Sequence, residues 1–448
     1  MKVSLLAVGT RGDTQPCAAL GVRLRERGHE VSIVAPHNYE SLIVDAGLEY
    51  RPLEFDPAKI VQSEVGQELL SSGPAGFVKN FRKVVGPIAG QIMQDCAAGS
   101  ADADVIVASP AGGLGRHISE HLGVPQVLMH FQPSEPTGAF ANPLLRGRDL
   151  GRTANRASYR ALERITGLAL RTVLNDARHR ILGLPPLTGD TFGLDRQEGI
   201  PVLCGASPLV VPRPLDWPAH VHLTGAWTMP PSGHLGADLE AFLDAGPAPV
   251  WVGFGSMESD DPDALGGTVV AAARAAGMRV VVQGLPVTDV MRGDDVHIVG
   301  ETEHVTAFPR MAAIVHHGGA GTTAAALGAG VPSVVCPFFG DQPYWADRVA
   351  AIGVGPAPLP QKKLSASRLS RAIWQATHDE EMARRARGLG QALAREDGAA
   401  LAAALIEERV AGIPARRFRP RSAPVTKAGT PKPEPRASDE PAPHKRAA

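Results

Sequence analysis

Two adjacent histidines and a run of small residues lie between residues 316 and 323, a combination suited to binding an anion. His316 and His317 follow an apolar run, and Thr322 and Thr323 open an alanine-rich stretch typical of a helix. Glycines at a turn from strand to helix let backbone N–H groups approach an anion, and the helix N-terminus adds a partial positive charge. The segment therefore predicts a loop that binds a nucleoside diphosphate. The glycines of this loop are Gly318, Gly319 and Gly321.

A carboxylate and an amide follow the next apolar run, residues 331–336. Asp341 and Gln342 would lie beyond the carboxyl end of the strand adjacent to the histidine loop. Sugar hydroxyls both donate and accept hydrogen bonds, and a carboxylate with an amide serves both functions. The pair therefore predicts a sugar-binding position next to the diphosphate. A plain N-cap for the helix that follows is the alternative.

A further carboxylate, Asp13, follows the first apolar run of the chain. An Asp before a helix with a proline in its first turn, here Pro16, is typical of an N-cap. Ligands of open parallel sheets also bind at the carboxyl ends of strands, where a carboxylate could take a proton from a hydroxyl group. Local sequence leaves both interpretations open. We expect the nearby helix N-terminus to lower the pKa of Asp13 and keep it ionised at neutral pH.

Other candidates carry a weaker signal. Ser256 follows Gly253 and Gly255 at a predicted strand-to-helix turn, where it would contact the same diphosphate. His37 ends the second predicted strand and would contact an acceptor or cap a helix. An apolar pocket for an acceptor would draw on aromatic and helical residues, although apolar residues of helices more often belong to a core. These residues are Phe77, Phe81, Phe131, Gln132, Pro133, Phe140 and those of 152–182.

Short apolar runs alternate with longer helical patterns, which predicts an α/β fold with parallel sheets. A passage rich in proline and tryptophan at 208–231 divides the pattern and is interpreted as a linker. We therefore predict one domain at 1–225 and a second at 226–411. The predicted strands cover 3–8, 30–35, 105–108, 126–130, 250–254, 279–282, 297–299, 313–316 and 333–336. The predicted helices include 15–27, 77–97, 152–182 and 396–410.

The last part of the chain, 412–448, has a different composition. It contains eight prolines and one aromatic residue, and its nine Lys or Arg against three Asp or Glu give a net charge of +6. Such a segment cannot bury enough apolar area to offset the entropy lost on ordering. We therefore predict a disordered tail.

Composition narrows the class of protein. The 448 residues are 44% hydrophobic, enough for about two to three domains with cores. A net charge of −1 argues against a nucleic-acid partner, because such proteins carry a basic excess. The four cysteines are widely spaced, which indicates reduced cytoplasmic thiols rather than a disulfide or zinc framework. The start of the chain does not fit a signal peptide and no apolar run approaches the length of a membrane span, so we expect a cytoplasmic protein with at most peripheral membrane contact.

Together these motifs resemble the donor-binding signature of the UDP-sugar glycosyltransferases of family 1, which have the GT-B fold. Residues 1 to about 410 are most similar to the sterol 3-β-glucosyltransferases, and the glycopeptide-antibiotic glycosyltransferases resemble the chain as close cousins. Besides 316–349, the similarity rests on GTRGDTQP at 9–16, ANRASY at 154–159, SPLVVPRPLDWP at 207–218, GFGSM at 253–257 and GVGPAPLP at 353–360.

The resemblance implies two Rossmann-like domains that face each other across a cleft. The acceptor would bind the first domain and the nucleotide sugar the second, with the last helix, 396–410, crossing back to the first. It implies a monomer that transfers a hexose, most simply glucose, from a UDP-sugar to a hydroxyl of a lipophilic, sterol-like acceptor with inversion. The UDP-sugar would be a co-substrate, with no tightly bound cofactor and no metal, and the chain offers no clear carboxylate cluster for one.

The same resemblance assigns roles to individual residues. Asp13 becomes the general base that deprotonates the acceptor. His317, rather than His316, falls on the donor phosphate, where it would stabilise the charge on the leaving diphosphate. Thr322 would add its hydroxyl and its backbone N–H, and the backbone near His304 would contact the uracil. The other donor-site residues implied are Gly12, Ser256, Gly318, Gly319, Gly321, Asp341 and Gln342.

Two positions depart from the plant members of the family. Ala325 stands where they have a glutamate for the ribose hydroxyls, which leaves the choice between UDP and dTDP open. Glu301 stands where they have an aromatic platform for the base. Two alternative functions also remain. One keeps the chemistry but transfers to a polyketide or glycopeptide natural product, and the other is a catalytically silent module that holds a nucleotide sugar or a partner protein.

Overall fold

The computed structural model of the protein describes residues 1–54, 56, 74–109, 113–145, 147–231, 233–255, 261–286, 288 and 293–412, with the backbone alone for 74–82, 84 and 85. Three sequence predictions lie outside this description. They concern Ser256, the side chains of Phe77 and Phe81, and the tail beyond Gly412.

The first half of the chain forms a seven-stranded parallel sheet. Its strands are β1 (Lys2–Leu6), β2 (Glu30–Pro36), β3 (Glu49–Leu53), β4 (Val105–Ala108), β5 (Gln126–His130), β6 (Val202–Cys204) and β7 (Val221–Leu223). Their order is β3-β2-β1-β4-β5-β6-β7. Leu6 pairs with Val34 of β2 and with Ala108 of β4, so the loops after these strands leave the sheet at one edge. Asp13 lies in the segment that follows β1 at this edge.

The second half forms a five-stranded parallel sheet. Its strands are β8 (Val250–Gly253), β9 (Val280–Gln283), β10 (Val296–Val299), β11 (Ala313–His316) and β12 (Ser333–Val335). Their order is β10-β9-β8-β11-β12. His316 pairs with Gly253 on one side and Val335 on the other. The segments after β8, β11 and β12, which carry most of the predicted donor site, therefore start side by side.

Helices connect the strands and cover the faces of both sheets. The apolar runs of β8 and β11 are buried completely, as expected for parallel strands covered on both faces. In the first half the helices are α1 (Arg11–Glu26), α2 (Glu40–Asp45), α3 (Pro74–Gly99), α4 (Leu114–Leu122), α5 (Arg152–Leu182) and α6 (Thr191–Gln197). In the second half they are α7 (Ala237–Asp244), α8 (Pro262–Ala275), α9 (His304–Ala307), α10 (Ala320–Gly328), α11 (Gln342–Ala351), α12 (Ala366–His378), α13 (Glu380–Leu393) and α14 (Gly398–Ala411).

The last described helix, α14, packs against α1 of the first half. Ala402 and Ile406 are fully buried in the same core as the apolar residues of α1. Arg23 of α1 pairs with Asp397 at 3.0 Å, and His29 reaches Glu407 at 2.7 Å. The chain therefore returns to its first half after building the second sheet.

The largest differences from the sequence prediction are three additional strands and the start of the first helix. β3, β6 and β7 were not predicted, because β6 and β7 have only three residues each and the sequence of β3, EYRPL, lacks an apolar run. β7 lies inside the proline-rich passage interpreted as a linker, so the first sheet extends into that passage. Helix α1 begins at Arg11, four residues before the predicted start.

Candidate functional site

The loop between β11 and α10 turns sharply at Gly318. Its φ of +91° is a conformation that side chains other than glycine rarely adopt. A Cβ at this position would lie 2.8 Å from Cγ1 of Val335 and 3.0 Å from the carbonyl oxygen of Gln342. The loop is therefore held against β12 and the start of α11, and this close approach requires glycine.

His316 is a structural residue of this loop. It is fully buried at the end of β11, and Nδ1 of its ring accepts a hydrogen bond from the N–H of Gly318 at 3.1 Å. Burial lowers the pKa of His316 to about 3, so the ring is neutral and its proton lies on Nε2. His316 thus fixes the turn from inside the protein.

His317 lies between two glycine turns. A Cβ on Gly255, after β8, would be 3.1 Å from Cε1 of the ring, and a Cβ on Gly319 would clash with Nε2. Nδ1 of His317 is buried and has no hydrogen-bond partner within the described part of the chain. Burial lowers the pKa of His317 to about 4, so the ring is neutral near pH 7. A neutral imidazole with an unpartnered nitrogen is ready to form a hydrogen bond with a ligand.

Helix α10 starts at Ala320, three residues after His317. Gly319 is its N-cap residue, and no side-chain cap forms there within the part of the chain that the structure describes. Thr322 is partly exposed in that turn, whereas Thr323 is buried. Uncapped N–H groups at a helix N-terminus favour an anion. The structure therefore brings His317, Thr322 and the loop glycines together at the start of α10.

Asp341 and Gln342 lie side by side at the start of α11, but both make contacts within the protein. Oδ2 of Asp341 accepts a hydrogen bond from Nε1 of Trp345 at 2.8 Å. Oε1 of Gln342 accepts hydrogen bonds from the N–H groups of Phe338 and Phe339 at 2.8 and 3.2 Å. Gln342 is buried and Asp341 half-buried. Asp341 is therefore the more accessible of the two to a sugar, and Gln342 holds the turn before the helix.

Asp13 is not an N-cap, contrary to the local alternative. The N-cap of α1 is Thr10, and Asp13 stands three residues further on and accepts a hydrogen bond from the Thr10 N–H at 2.8 Å. This reciprocal capping box explains why α1 begins at Arg11. A Cβ on Gly9 would clash with the carboxylate of Asp13, so that glycine allows the close approach.

The expected lowering of the Asp13 pKa was wrong. Burial raises the pKa of Asp13, and this outweighs the hydrogen bonds from Thr10, which lower it. The negative charge of Asp341 raises it further. An effect of this kind requires the Asp341 carboxylate of the second half to lie within electrostatic range of Asp13. A raised pKa makes Asp13 a stronger base when it is ionised.

An ion pair that the sequence did not predict lies beside this site. Nη1 of Arg11 is 2.7 Å from Oε1 of Glu301, joining the start of α1 to the segment after β10. Nε of Arg11 also donates to Gln15 at 3.1 Å. Local patterns could not reveal the pair, because its members are far apart in the sequence. Glu301 stands where the plant members of the family have an aromatic platform for the nucleobase, and here it forms an ion pair with Arg11 across the cleft.

His304 is held by ring contacts at the start of α9. Its Nε2 donates to Oε1 of Gln283 at 3.0 Å, and its ring stacks on Phe308 with centroids 4.4 Å apart. Burial lowers the pKa of His304 to about 4, and the charge of Arg11 adds to this effect. The His304 side chain is thus occupied by contacts within the protein. A nucleobase at this position would therefore contact the backbone.

The aromatic residues proposed for the acceptor pocket divide into separate roles. Phe131 packs edge to face on Trp227 with centroids 5.6 Å apart and belongs to the core around α1. Phe140 contacts Tyr344 of α11 with centroids 5.8 Å apart. His37 is exposed and starts a short helical turn after β2. Phe131 therefore packs against the core, which was the alternative to a place in the acceptor pocket. Phe140 helps to join the two halves of the chain.

Within the described ranges, no group of three or more His, Cys, Asp or Glu side chains is arranged to hold a metal ion. The cysteines are free and buried. The same residues contain no helix with the length and apolar content needed to cross a membrane.

Two family models match the chain. Residues 3–141 match the Glycosyltransferase family 28 N-terminal domain, and residues 281–407 match the Erythromycin biosynthesis protein CIII-like, C-terminal domain. These matches cover the segments that carry Asp13 and the His317 loop, respectively.

Curated relatives extend the similarity over most of the chain. A sterol 3-beta-glucosyltransferase of Arabidopsis thaliana is 33% identical over 413 residues, which cover 89% of this chain and 64% of the relative. The chain spans only 29% of a sterol 3-beta-glucosyltransferase of Emericella nidulans, to which it is 33% identical. The O-mycaminosyltylonolide 6-deoxyallosyltransferase of Streptomyces fradiae is 36% identical over 422 residues, covering 91% of this chain and 97% of that protein.

Solved structures share the fold at lower identity. The glycotransferase of kitacinnamycin aligns over 91% of this chain and 98% of its own with a TM-score of 0.65 and 20% identity. Glycosyltransferase VinC in complex with dTDP aligns over 92% of this chain and 99% of its own with a TM-score of 0.61 and 20% identity. The predicted fold of two Rossmann-like domains facing across a cleft is confirmed.

Proposed function

The chain belongs to the GT-B glycosyltransferases of family 1, and on that premise we propose that it transfers glucose from UDP-glucose to a hydroxyl of a lipophilic, sterol-like acceptor with inversion. In this proposal residues 1–225 bind the acceptor and residues 226–411 bind the nucleotide sugar. The protein acts as a monomer in the cytoplasm without a metal ion.

The unpartnered imidazole of His317 supports this proposal most directly. A buried polar atom without a partner is costly unless a ligand supplies one. The ring lies between two glycine turns and next to the uncapped start of α10, a setting that suits a diphosphate. In the reaction, His317 and the α10 N–H groups would hold the charge that develops on the diphosphate as its bond to the sugar breaks.

Asp13 is the group proposed to activate the acceptor. Its half-buried carboxylate lies at the sheet edge that faces the second domain, and Asp341 is near enough to raise its pKa. Asp13 would take the acceptor proton as the acceptor oxygen attacks the anomeric carbon from the face opposite the diphosphate. Asp341 would orient the hexose by accepting hydrogen bonds from its hydroxyls.

A natural-product acceptor is the second candidate. The likeness to the tylonolide-modifying enzyme of Streptomyces fradiae spans nearly the whole of that protein, whereas the sterol enzymes are longer than this chain. Ala325 is buried in α10 and offers no group for ribose hydroxyls, so a dTDP-sugar is the matching alternative donor. The third candidate is a binding protein rather than an enzyme: a catalytically silent module that would bind a nucleotide sugar without turning it over.

An acceptor screen separates these candidates. The full chain is incubated with radiolabelled UDP-glucose or dTDP-glucose and with sterols, macrolide aglycones or glycopeptide aglycones, and products are identified by mass spectrometry. We expect a glucosylated sterol with UDP-glucose. Transfer only to a macrolide or glycopeptide aglycone would establish the second candidate, and donor binding without any product would support the silent module.

A further inference from the structure

A cavity of about 850 Å³ lies in the first domain, between α5 and the segment 187–192. This volume is within the range that holds small organic ligands. Aliphatic and aromatic side chains form much of its wall, and they are buried or half-buried. The cavity can therefore hold the apolar part of a ligand. The apolar side chains concerned are Leu170, Leu174, Leu187 and Phe192.

Three arginines of α5 line the same cavity. Arg160, Arg164 and Arg171 are spaced four and seven residues apart, which places them on one face of the helix. Among the residues that the structure describes, none of the three forms a hydrogen bond or a close ion pair, although Arg160 is near enough to Glu135 to lower the pKa of that carboxyl group. Arg180 of the same helix, by contrast, lies outside the cavity and pairs with Asp176.

The acidic groups of the cavity wall already have partners. Both oxygens of Glu163 accept hydrogen bonds from Arg196 at 2.7 Å. Asp190 caps α6 by accepting a hydrogen bond from the Gly193 N–H at 3.0 Å. Arg196 thus pairs with Glu163 and is also near enough to Asp190 for that carboxylate to raise its pKa, whereas no described acidic group forms a close ion pair with Arg164 or Arg171.

The cavity lies at the same edge of the first sheet as Asp13. Thr191 belongs to its wall and packs against Gly113, where a Cβ would be 2.6 Å from Cγ2 of Thr191. Gly113 precedes α4 in the connection from β4, and the end of β4 pairs with the end of β1. The wall of the cavity therefore contacts the connection that leaves the first sheet beside the segment of Asp13.

We propose that this cavity is an acceptor subsite for lipophilic anions, with Arg160, Arg164 and Arg171 holding a carboxylate, sulfate or phosphate of the acceptor and the leucines and Phe192 holding its apolar body. Guanidinium groups form strong, often bidentate hydrogen bonds with such anions. The inference rests on the proposed transferase function, because it specifies the class of acceptor. It favours hydroxylated lipophilic acids over neutral sterols.

Cholate and its neutral methyl ester form a matched pair of probes, since they share the hydroxylated steroid body and differ in one charge. Binding of each to the full chain is measured by calorimetry below the micellar concentration, without a donor. We expect cholate to bind about tenfold more tightly than the ester, the scale of one charge-assisted hydrogen bond. Arg164→Gln should remove this preference and leave ester binding unchanged, whereas Arg180→Gln should preserve it.

Equal binding of the two probes, or equal effects of Arg164→Gln and Arg180→Gln, would overturn the anion site. Arg160→Gln provides a second variant, and thermal melting checks that each variant is folded.

Transfer of glucose from UDP-glucose is then measured with cholate and with its methyl ester as acceptors. A kcat/KM preference for cholate that Arg164→Gln abolishes supports the acceptor subsite. Glucosylation of the ester but not of bound cholate would overturn the subsite and leave the proposed function intact, whereas arginine-dependent cholate binding without transfer to any acceptor would count against the proposed function.

Discussion

Nη1 of Arg11 lies 2.7 Å from Oε1 of Glu301, so an ion pair spans the cleft between the two domains. The side chains are 45% and 85% exposed, and exposed pairs contribute at most about 1 kcal/mol. We therefore predict that Glu301→Gln changes the melting temperature little and changes the donor KM by less than about fivefold. The variant Arg11→Gln and the double variant complete a thermodynamic cycle. A large loss of stability in either single variant would mean that the pair is part of the fold rather than a contact across the cleft.

Asp13→Asn tests the proposed base. The asparagine oxygen can still accept the hydrogen bond from Thr10, so α1 should keep its start and donor binding should persist. The variant cannot take a proton, and kcat should fall by about 100-fold or more. Thr10→Ala is the control, because it removes the cap at about 1 kcal/mol of stability but keeps the carboxylate. Near-normal turnover of Asp13→Asn would remove Asp13 from the mechanism and direct attention to His37.

Gly319→Ala tests the position of the His317 ring. The backbone of Gly319, with φ −61° and ψ 143°, is open to alanine, so the clash of the new Cβ with His317 is the main cost. Displacing the ring should weaken UDP binding by about tenfold or more, since a hydrogen bond to a charged group contributes about 1.5–3 kcal/mol. Gly328→Ala in the same helix is the control, because its Cβ would meet nothing within 4 Å. If the two variants bind UDP equally well, the ring is not part of the donor site.

The two histidines should respond differently to substitution. His317→Ala should raise the donor KM and lower kcat with little loss of stability, because the ring lacks a partner in the described structure. His316→Ala should instead destabilise the protein by about 2 kcal/mol or more, since it leaves a cavity and an unpaired Gly318 N–H. Urea unfolding and steady-state kinetics on both variants measure the contrast. The reverse pattern would show that the assignment of the pair is off by one residue.

The buried histidines predict acid sensitivity. Burial lowers the pKa of His304 and His317 to about 4 and that of His316 to about 3, from 6.5 in the unfolded chain. Between these values the unfolded state binds more protons, so the unfolding free energy should fall as pH drops from 6.5 toward 4, by up to about 1.4 kcal/mol per pH unit for each histidine. Carboxylates with raised pKa values, such as Glu135 at about 7, oppose this trend. Urea unfolding of wild type and His316→Gln across this range should give a shallower slope for the variant, and identical slopes would contradict the buried neutral ring.

The sequence was most informative where a local pattern determines the structure. The apolar runs at 105–108, 126–130 and 313–316 are strands at the predicted boundaries, and α5 spans the predicted residues, because periodicity and flanking glycines act over a few residues. The glycine turn at 318 was predictable for the same reason. Patterns of this kind depend on neighbours in the chain.

Features that depend on residues distant in the sequence could not be predicted. The Arg11–Glu301 pair appears only when the two domains are assembled, and the approach of Gly255 to the His317 ring appears only when β8 and β11 pair within the second sheet. The pKa of Asp13 was predicted in the wrong direction, because burial in the cleft exceeds the local effects of the helix start. Burial is a property of the whole fold, and local sequence does not contain it.

The configuration of the product tests the central claim most directly. The full chain and Asp13→Asn are incubated with UDP-glucose, whose sugar is an α-anomer, and with the best acceptor from the screen, and the anomeric signal of the product is read by proton NMR. The account predicts a β-glucoside from the wild type and almost none from Asp13→Asn. An α-glucoside, or equal product from the two proteins, would contradict it.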